Sequence, residues 1–135
     1  MRAFVDTSAL LALSHTCDQY HLRARDTARR FSAGGGRFLS STLVLGEFHS
    51  HLLYLRGPAA ARGVLTRLLT DDSHEWMAVS VDVVRNAREQ WLTRFVDQRL
   101  SLTDAVSFEL MSREKVTQAF AYDRHFEMAG FEILP

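Results

Sequence analysis

Residues 2–13 read RAFVDTSALLAL, and the way this stretch is parsed decides the fold. Ala3-Phe4-Val5 is a short apolar run of the kind carried by a buried parallel strand. It runs directly into a carboxylate, Asp6, followed by the small hydroxyl residues Thr7 and Ser8 and then by apolar sequence. Asp and Thr are favoured at helix N-caps, because their side-chain oxygens accept the first free backbone N–H groups. The spacing therefore predicts a strand over 2–6 and a short helix over 7–13, with the acid at the strand's C-terminal end.

The same alternation continues downstream. A helix is expected over 19–33, where Tyr20, Leu22, Ala24, Ala28 and Phe31 are set among Arg23, Arg25, Arg29 and Arg30, and the glycines at 34–36 end it. Residues 37–40 read as a strand, and Ser41 or Thr42 caps a helix over about 43–56 striped by Val44, Leu45, Phe48, Leu52 and Leu55. Gly57-Pro58 breaks that helix, and another follows over about 59–71 with Ala61, Val64, Leu65, Leu68 and Leu69 on one side. A third strand is expected over 76–79, then a helix over about 83–96 capped by Asp82 and striped by Val84, Ala87, Trp91 and Phe95. A helix over about 103–114 and strands over 118–122 and 131–134 complete the chain. Strands alternating with helices point to an α/β fold, a mostly parallel sheet of about five strands with helices on both faces. A chain of 135 residues without linker, repeat or low-complexity segment fits one domain, 1–135.

Composition narrows the function classes. Formal net charge is zero, so no global basic field marks a nucleic-acid binder. The sixteen basic residues are all arginine except Lys115, and arginine suits bidentate contacts to phosphate or carboxylate. The single cysteine, Cys17, excludes an internal disulfide and a four-cysteine zinc site. The opening has no basic-then-apolar leader pattern, and no stretch approaches a membrane span, so a cytoplasmic protein without membrane association is expected.

Four acids are expected at one edge of the sheet. Right-handed crossovers put every parallel strand's C-terminal end on the same side. Asp6 ends the first strand, Glu47 lies early in the helix after the second, Asp104 opens the helix over 103–114, and Asp123 follows the fourth strand. Each alone reads as a cap, a turn acid or solvated helix surface. Gathered together, carboxylates repel, and a hard divalent cation relieves them. No Ser–His or Cys–His spacing offers a covalent nucleophile with its own base.

FVDTSALLAL at 4–13, STLVLGEFHSHL at 41–52, LSLTDAVSFELM at 100–111 and AFAYDRHFEMAGFEIL at 119–134 together resemble the PIN domain family, in particular its VapC-type toxins, the ribonuclease half of toxin–antitoxin pairs. The resemblance covers almost the whole chain. It implies a three-layer fold and a metal-dependent ribonuclease whose catalytic and metal-binding acids are Asp6, Glu47, Asp104 and Asp123, holding one or two Mg²⁺ or Mn²⁺ ions. Ser8 matches the hydroxyl residue that supports the first acid. Thr103 matches a position whose hydroxyl is able to bond a neighbouring carboxylate. The implied partners are an RNA substrate, a small antitoxin that neutralises the acidic groove, and a second copy in a homodimer.

Arg124, Arg23 and Arg25 are the candidate substrate contacts. His51 lies i+4 from Glu47 on one helix face, His125 reads as a loop histidine, and Asp97 reads as a turn acid bonded to nearby backbone or Arg99. Two other acid-and-Mg²⁺ classes fail on residues. A phospho-receiver wants paired acids after the first strand and a lysine at the end of the last, and a haloacid-dehalogenase-like phosphatase wants Asp where Ser8 stands. A PIN-fold nuclease of RNA processing, or an interaction module on the same fold, are the remaining alternatives.

Overall fold

The computed structural model describes residues 1–135. Five strands form one sheet in the order β3-β2-β1-β4-β5, every pair parallel: β1 Arg2–Val5, β2 Arg37–Ser41, β3 His74–Met77, β4 Gln118–Phe120 and β5 Glu132–Ile133. Between β1 and β2 run α1 (Thr7–Ser14) and α2 (His21–Ala33); between β2 and β3 run α3 (Thr42–Arg56) and α4 (Pro58–Thr70). From β3 to β4 the chain passes through α5 (Val81–Ala87), a π-helical turn over Arg88–Leu92 and α6 (Leu102–Glu114); α7 (His125–Met128) precedes β5.

This strand order has a direct consequence. The chain moves from β1 to β2 and β3 in one direction, then crosses back to β4 and β5 on the other side. Right-handed crossovers therefore assign α1–α4 to one face and α5–α7 to the other. The direction reverses between β1 and β4, and the crevice beyond the C-terminal ends of these strands is where such sheets bind ligands. The two strands are tied there by the Asp6 N–H, which donates to the Phe120 carbonyl at 3.0 Å.

One core cluster of 30 buried residues draws on nearly every element. On the α2 side Phe31, Phe38 and Phe120 pack in sequence, with ring centroids 5.1 and 5.8 Å apart. A side chain on Gly36 would collide with the Phe31 ring, so glycine there lets α2 turn closely into β2. On the α6 side Phe108 meets Phe126 edge-on at 5.0 Å and Trp91 at 5.3 Å. Gly57, at φ 85°, ends α3 and starts α4 with Pro58 in the first turn, a conformation open to glycine at no steric cost. Lys115, at φ 56°, is the left-handed cap of α6. No helix is long and apolar enough to cross a membrane.

Several expectations are shifted. β3 lies two residues earlier than the apolar Trp76–Val79 run, because it is a half-exposed edge strand whose register is set by pairing of Phe38 with His74 through Ser41 with Met77. Ser80, not Asp82, caps α5, its Oγ accepting from the Val83 N–H at 3.2 Å; Asp82 accepts from Arg113 instead. The helix expected to 96 changes to π geometry at Arg88, where the Thr93 N–H donates to the Arg88 carbonyl at 3.1 Å. Ala87 and Trp91 of the expected stripe are buried, Val83 is buried in place of Val84, and Phe95, beyond the π turn, is only half-buried. Leu55 and Leu69, members of the apolar stripes expected over 43–56 and 59–71, are exposed.

Candidate metal centre and active site

The site is built outward from β1. Asp6 leaves the strand with extended backbone and caps α1, its Oδ2 accepting from the Ser8 N–H at 3.2 Å and from the Ser8 hydroxyl at 2.6 Å. The Ser8 Oγ in turn accepts the Tyr122 N–H at 2.9 Å. One hydroxyl thus fixes the first acid and binds the chain just before Asp123. Asp104 sits in the first turn of α6, where Ser101 caps the helix by accepting the Asp104 N–H at 3.1 Å. Asp123 lies beyond the end of β4, in a turn where its Oδ1 accepts the His125 N–H at 2.9 Å. Glu47 projects from the second turn of α3, a helix capped by Ser41.

These four acids line one cleft of about 310 Å³ with Thr7, Ser8, Leu11, His51 and Ser101. Leu11 is the lone apolar side chain in that lining, so the cleft is made for charge. Other cavities in the molecule touch none of the four acids.

Electrostatics match the geometry. Burial pushes the Asp6 carboxyl up to about 7, the charges of Asp104 and Asp123 push it further in that direction, and its bonds to Ser8 oppose the rise. Burial also raises Asp104 to about 6, with Asp123 and Glu47 adding repulsion and His125 opposing it. Asp6 is 4% exposed and Asp104 8% exposed, and no arginine or lysine pairs with either. Two buried carboxylates without a fixed cation are under strain when ionised, and a divalent cation would supply the missing charge. The donor set, oxygen-rich and confined to one polar cleft, fits a hard divalent metal.

The remaining candidates separate. Thr103 is buried beside the site, but its carbonyl accepts from Ser107 and its hydroxyl bonds no carboxylate; the supporting hydroxyl near Asp104 is Ser101. Asp97 is exposed in a turn and bonds neither Arg99 nor nearby backbone, because the irregular segment after the π turn holds it outward. Arg124, Arg23 and Arg25 are exposed and outside the cleft lining, and Arg23 lies 5.7 Å from the Tyr122 ring centre. His51 does line the cleft.

His125, read from sequence as a loop residue, stands in the site. Its Nδ1 is 3.2 Å from Asp123 Oδ1 and 3.5 Å from Asp104 Oδ2. The available signal was its position two residues after an Asp at a turn, where the carboxylate captures the i+2 N–H and folds that residue back.

The model of the PIN domain family matches residues 3–132. The chain belongs to the PIN domain family. This PIN domain is 34% identical over 134 residues to the 23S rRNA-specific endonuclease VapC20 of Mycobacterium tuberculosis, a match spanning 98% of each chain and found in strains CDC 1551 and H37Rv alike. Its fold is similar to the crystal structure of M. tuberculosis VapC20, described as a sarcin-ricin loop cleaving toxin, with a TM-score of 0.82 and 32% identity over 96% of this chain and 95% of that one. The α/β architecture expected from the sequence is thus the one this PIN relative has.

Proposed function

We propose that this PIN domain is a divalent-metal-dependent endoribonuclease, the toxin of a VapC-type pair, acting on ribosomal RNA of the large subunit. The observation that carries the reading is the convergence of Asp6, Glu47, Asp104 and Asp123 on one polar cleft, in a chain that matches a VapC endonuclease from end to end. Residues 1–135 act as one nuclease domain, and the single core cluster supports that.

Asp6 and Asp104 are the principal metal ligands, and Glu47 and Asp123 bind directly or through water. One or two Mg²⁺ or Mn²⁺ ions supply an activated water and charge stabilisation on the phosphoryl and leaving oxygens. The chain's own part is orientation. Ser8 holds the Asp6 carboxylate in place and ties it to the Asp123 turn, Ser101 fixes the first turn that presents Asp104, and the β1–β4 contact keeps Asp6 and the Asp123 turn on a rigid edge. Arg124, Arg23 and Arg25, all exposed, meet the RNA phosphates, a contact that weakens as salt rises.

An antitoxin places a cation in the acidic cleft and blocks it. The exposed apolar side chains Leu53, Tyr54, Leu55 and Leu69 on α3 and α4 support a homodimer through these two helices. The substrate puts the protein in the cytoplasm.

The deciding experiment incubates the protein with ribosomes or naked 23S rRNA in Mn²⁺ or Mg²⁺ and maps new ends by primer extension. A discrete cut that EDTA abolishes and Asp6→Asn or Asp104→Asn removes is the expected result. Cleavage that survives in those variants overturns the reading.

A further inference from the structure

The His125 imidazole stands where the fold has no structural need for it. Its Nδ1 is fully buried and has no hydrogen-bond partner, although its ring is packed against two carboxylates. The contacts to Asp123 Oδ1 at 3.2 Å and Asp104 Oδ2 at 3.5 Å are short enough for ion pairing, yet neither has hydrogen-bond geometry. A buried, unpaired ring nitrogen is costly and calls for a partner. Its backbone is already satisfied in part through Asp123, whose Oδ1 takes the His125 N–H at 2.9 Å, so the ring is not needed to hold the turn.

The distances have a further reading. Two ligand atoms about 2.0–2.2 Å from one ion, and about 90–110° apart, lie about 2.8–3.6 Å from each other. Both Nδ1–oxygen separations, 3.2 and 3.5 Å, fall in that interval. One donor atom each from Asp104, Asp123 and His125 lies within 4.8 Å of the others.

We propose that His125 Nδ1 is a nitrogen ligand of the metal centre, alongside Asp104 and Asp123, and that this makes the site prefer Mn²⁺ over Mg²⁺. The inference rests on the metal-dependent reading above. Imidazole suits first-row transition ions, whereas Mg²⁺ favours an all-oxygen, largely hydrated shell. Coordination through Nδ1 leaves the proton on Nε2.

The test uses the full chain stripped of metal with EDTA and titrated with Mn²⁺ and with Mg²⁺ alone. Calorimetry gives the ratio of the two affinities, and pulsed electron paramagnetic resonance of the Mn²⁺ form detects a directly bound imidazole nitrogen. We expect nitrogen coupling in the wild type and in His51→Ala, and its loss in His125→Ala and His125→Asn. The Mn²⁺-over-Mg²⁺ preference falls about 10-fold in both His125 variants. His125→Asn retains a polar side chain of similar reach, which protects the test against a misfolded alanine variant. Bound Mn²⁺ with no nitrogen coupling in the wild type, or an unchanged affinity ratio in the variants, overturns the ligand role and leaves the nuclease reading standing. Failure to bind either ion overturns both.

Discussion

Asp104 and Glu109 lie five residues apart on α6, both buried, in opposite circumstances. Glu109 is fully matched: Arg113 donates to one oxygen at 2.7 Å and the Trp91 Nε1 to the other at 3.3 Å. Arg113 also reaches Asp82, so the pair fastens α5 and the π turn to α6. Asp104 has no fixed cation, and its neighbours are Asp123, Glu47 and Asp6, which repel it. One helix carries both arrangements. Where an acid serves the fold, the chain supplies its counter-charge; at the strand edge it withholds one.

The contrast is sharpest in variants that remove charge. Asp6→Asn and Asp104→Asn keep the shape of the site, and Asp6→Asn keeps an oxygen to cap α1. RNA cleavage falls by at least about 100-fold, equivalent to ~3 kcal/mol of transition-state stabilisation. Melting in EDTA moves the other way, with Tm rising because repulsion is relieved. A drop in both readouts would mean that Asp6 and Asp104 serve the fold as Glu109 does.

Ser8→Ala probes what holds the unpaired acid in place. It removes the donor to Asp6 and leaves the Tyr122 N–H without its acceptor. Single-turnover cleavage falls about 10-fold, as expected when a ligand's orienting partner is lost. Wild-type rates in this variant would show that Asp6 needs no such support.

At the other acid, Glu109→Ala strands Arg113 and the Trp91 N–H. Chemical denaturation should register a loss of about 1–3 kcal/mol, with cleavage per folded molecule unchanged. Comparable loss of activity would erase the division between the two acids of α6.

The gentlest test is pH. Asp6 at about 7 and Asp104 at about 6 stand above their ordinary value of 3.8. The native state therefore holds more protons than the unfolded chain between about pH 4 and 7, and stability falls as pH rises through that window. Metal-free protein should melt higher at pH 5.5 than at pH 7.5, and saturating Mn²⁺ should reverse that order. Identical metal-free melting at both values would show that the carboxylates are not held in their protonated form.

Much of this arrangement is legible in the amino-acid order, for local reasons. Ala3-Phe4-Val5 is buried on both faces and so is continuously apolar, and Asp6 announces a helix start. Helix α6 is buried almost all round, from Thr103 to Met111, so no amphipathic stripe locates it; its Ser101 cap does. What sequence misplaced depends on distant pairing. β3 takes its register from β2, and the π turn answers to Trp91 packing against Phe108 and to its bond with Glu109. His125 enters the site through a turn closed by Asp123, and the Asp two residues before it is the one mark of this in the sequence.

The left-handed cap of α6 has a practical side. Lys115 is the only lysine among residues 1–135. α6 runs from Asp104 at its first turn to Lys115 past its end, about 1.5 Å per residue. This side-chain amine therefore stands at the far rim from the acids. Amine-directed dyes, cross-linkers or sensor-surface coupling would tether the molecule from behind and present its working edge to solution, so binding and cleavage can be watched on a tethered protein without touching the chemistry.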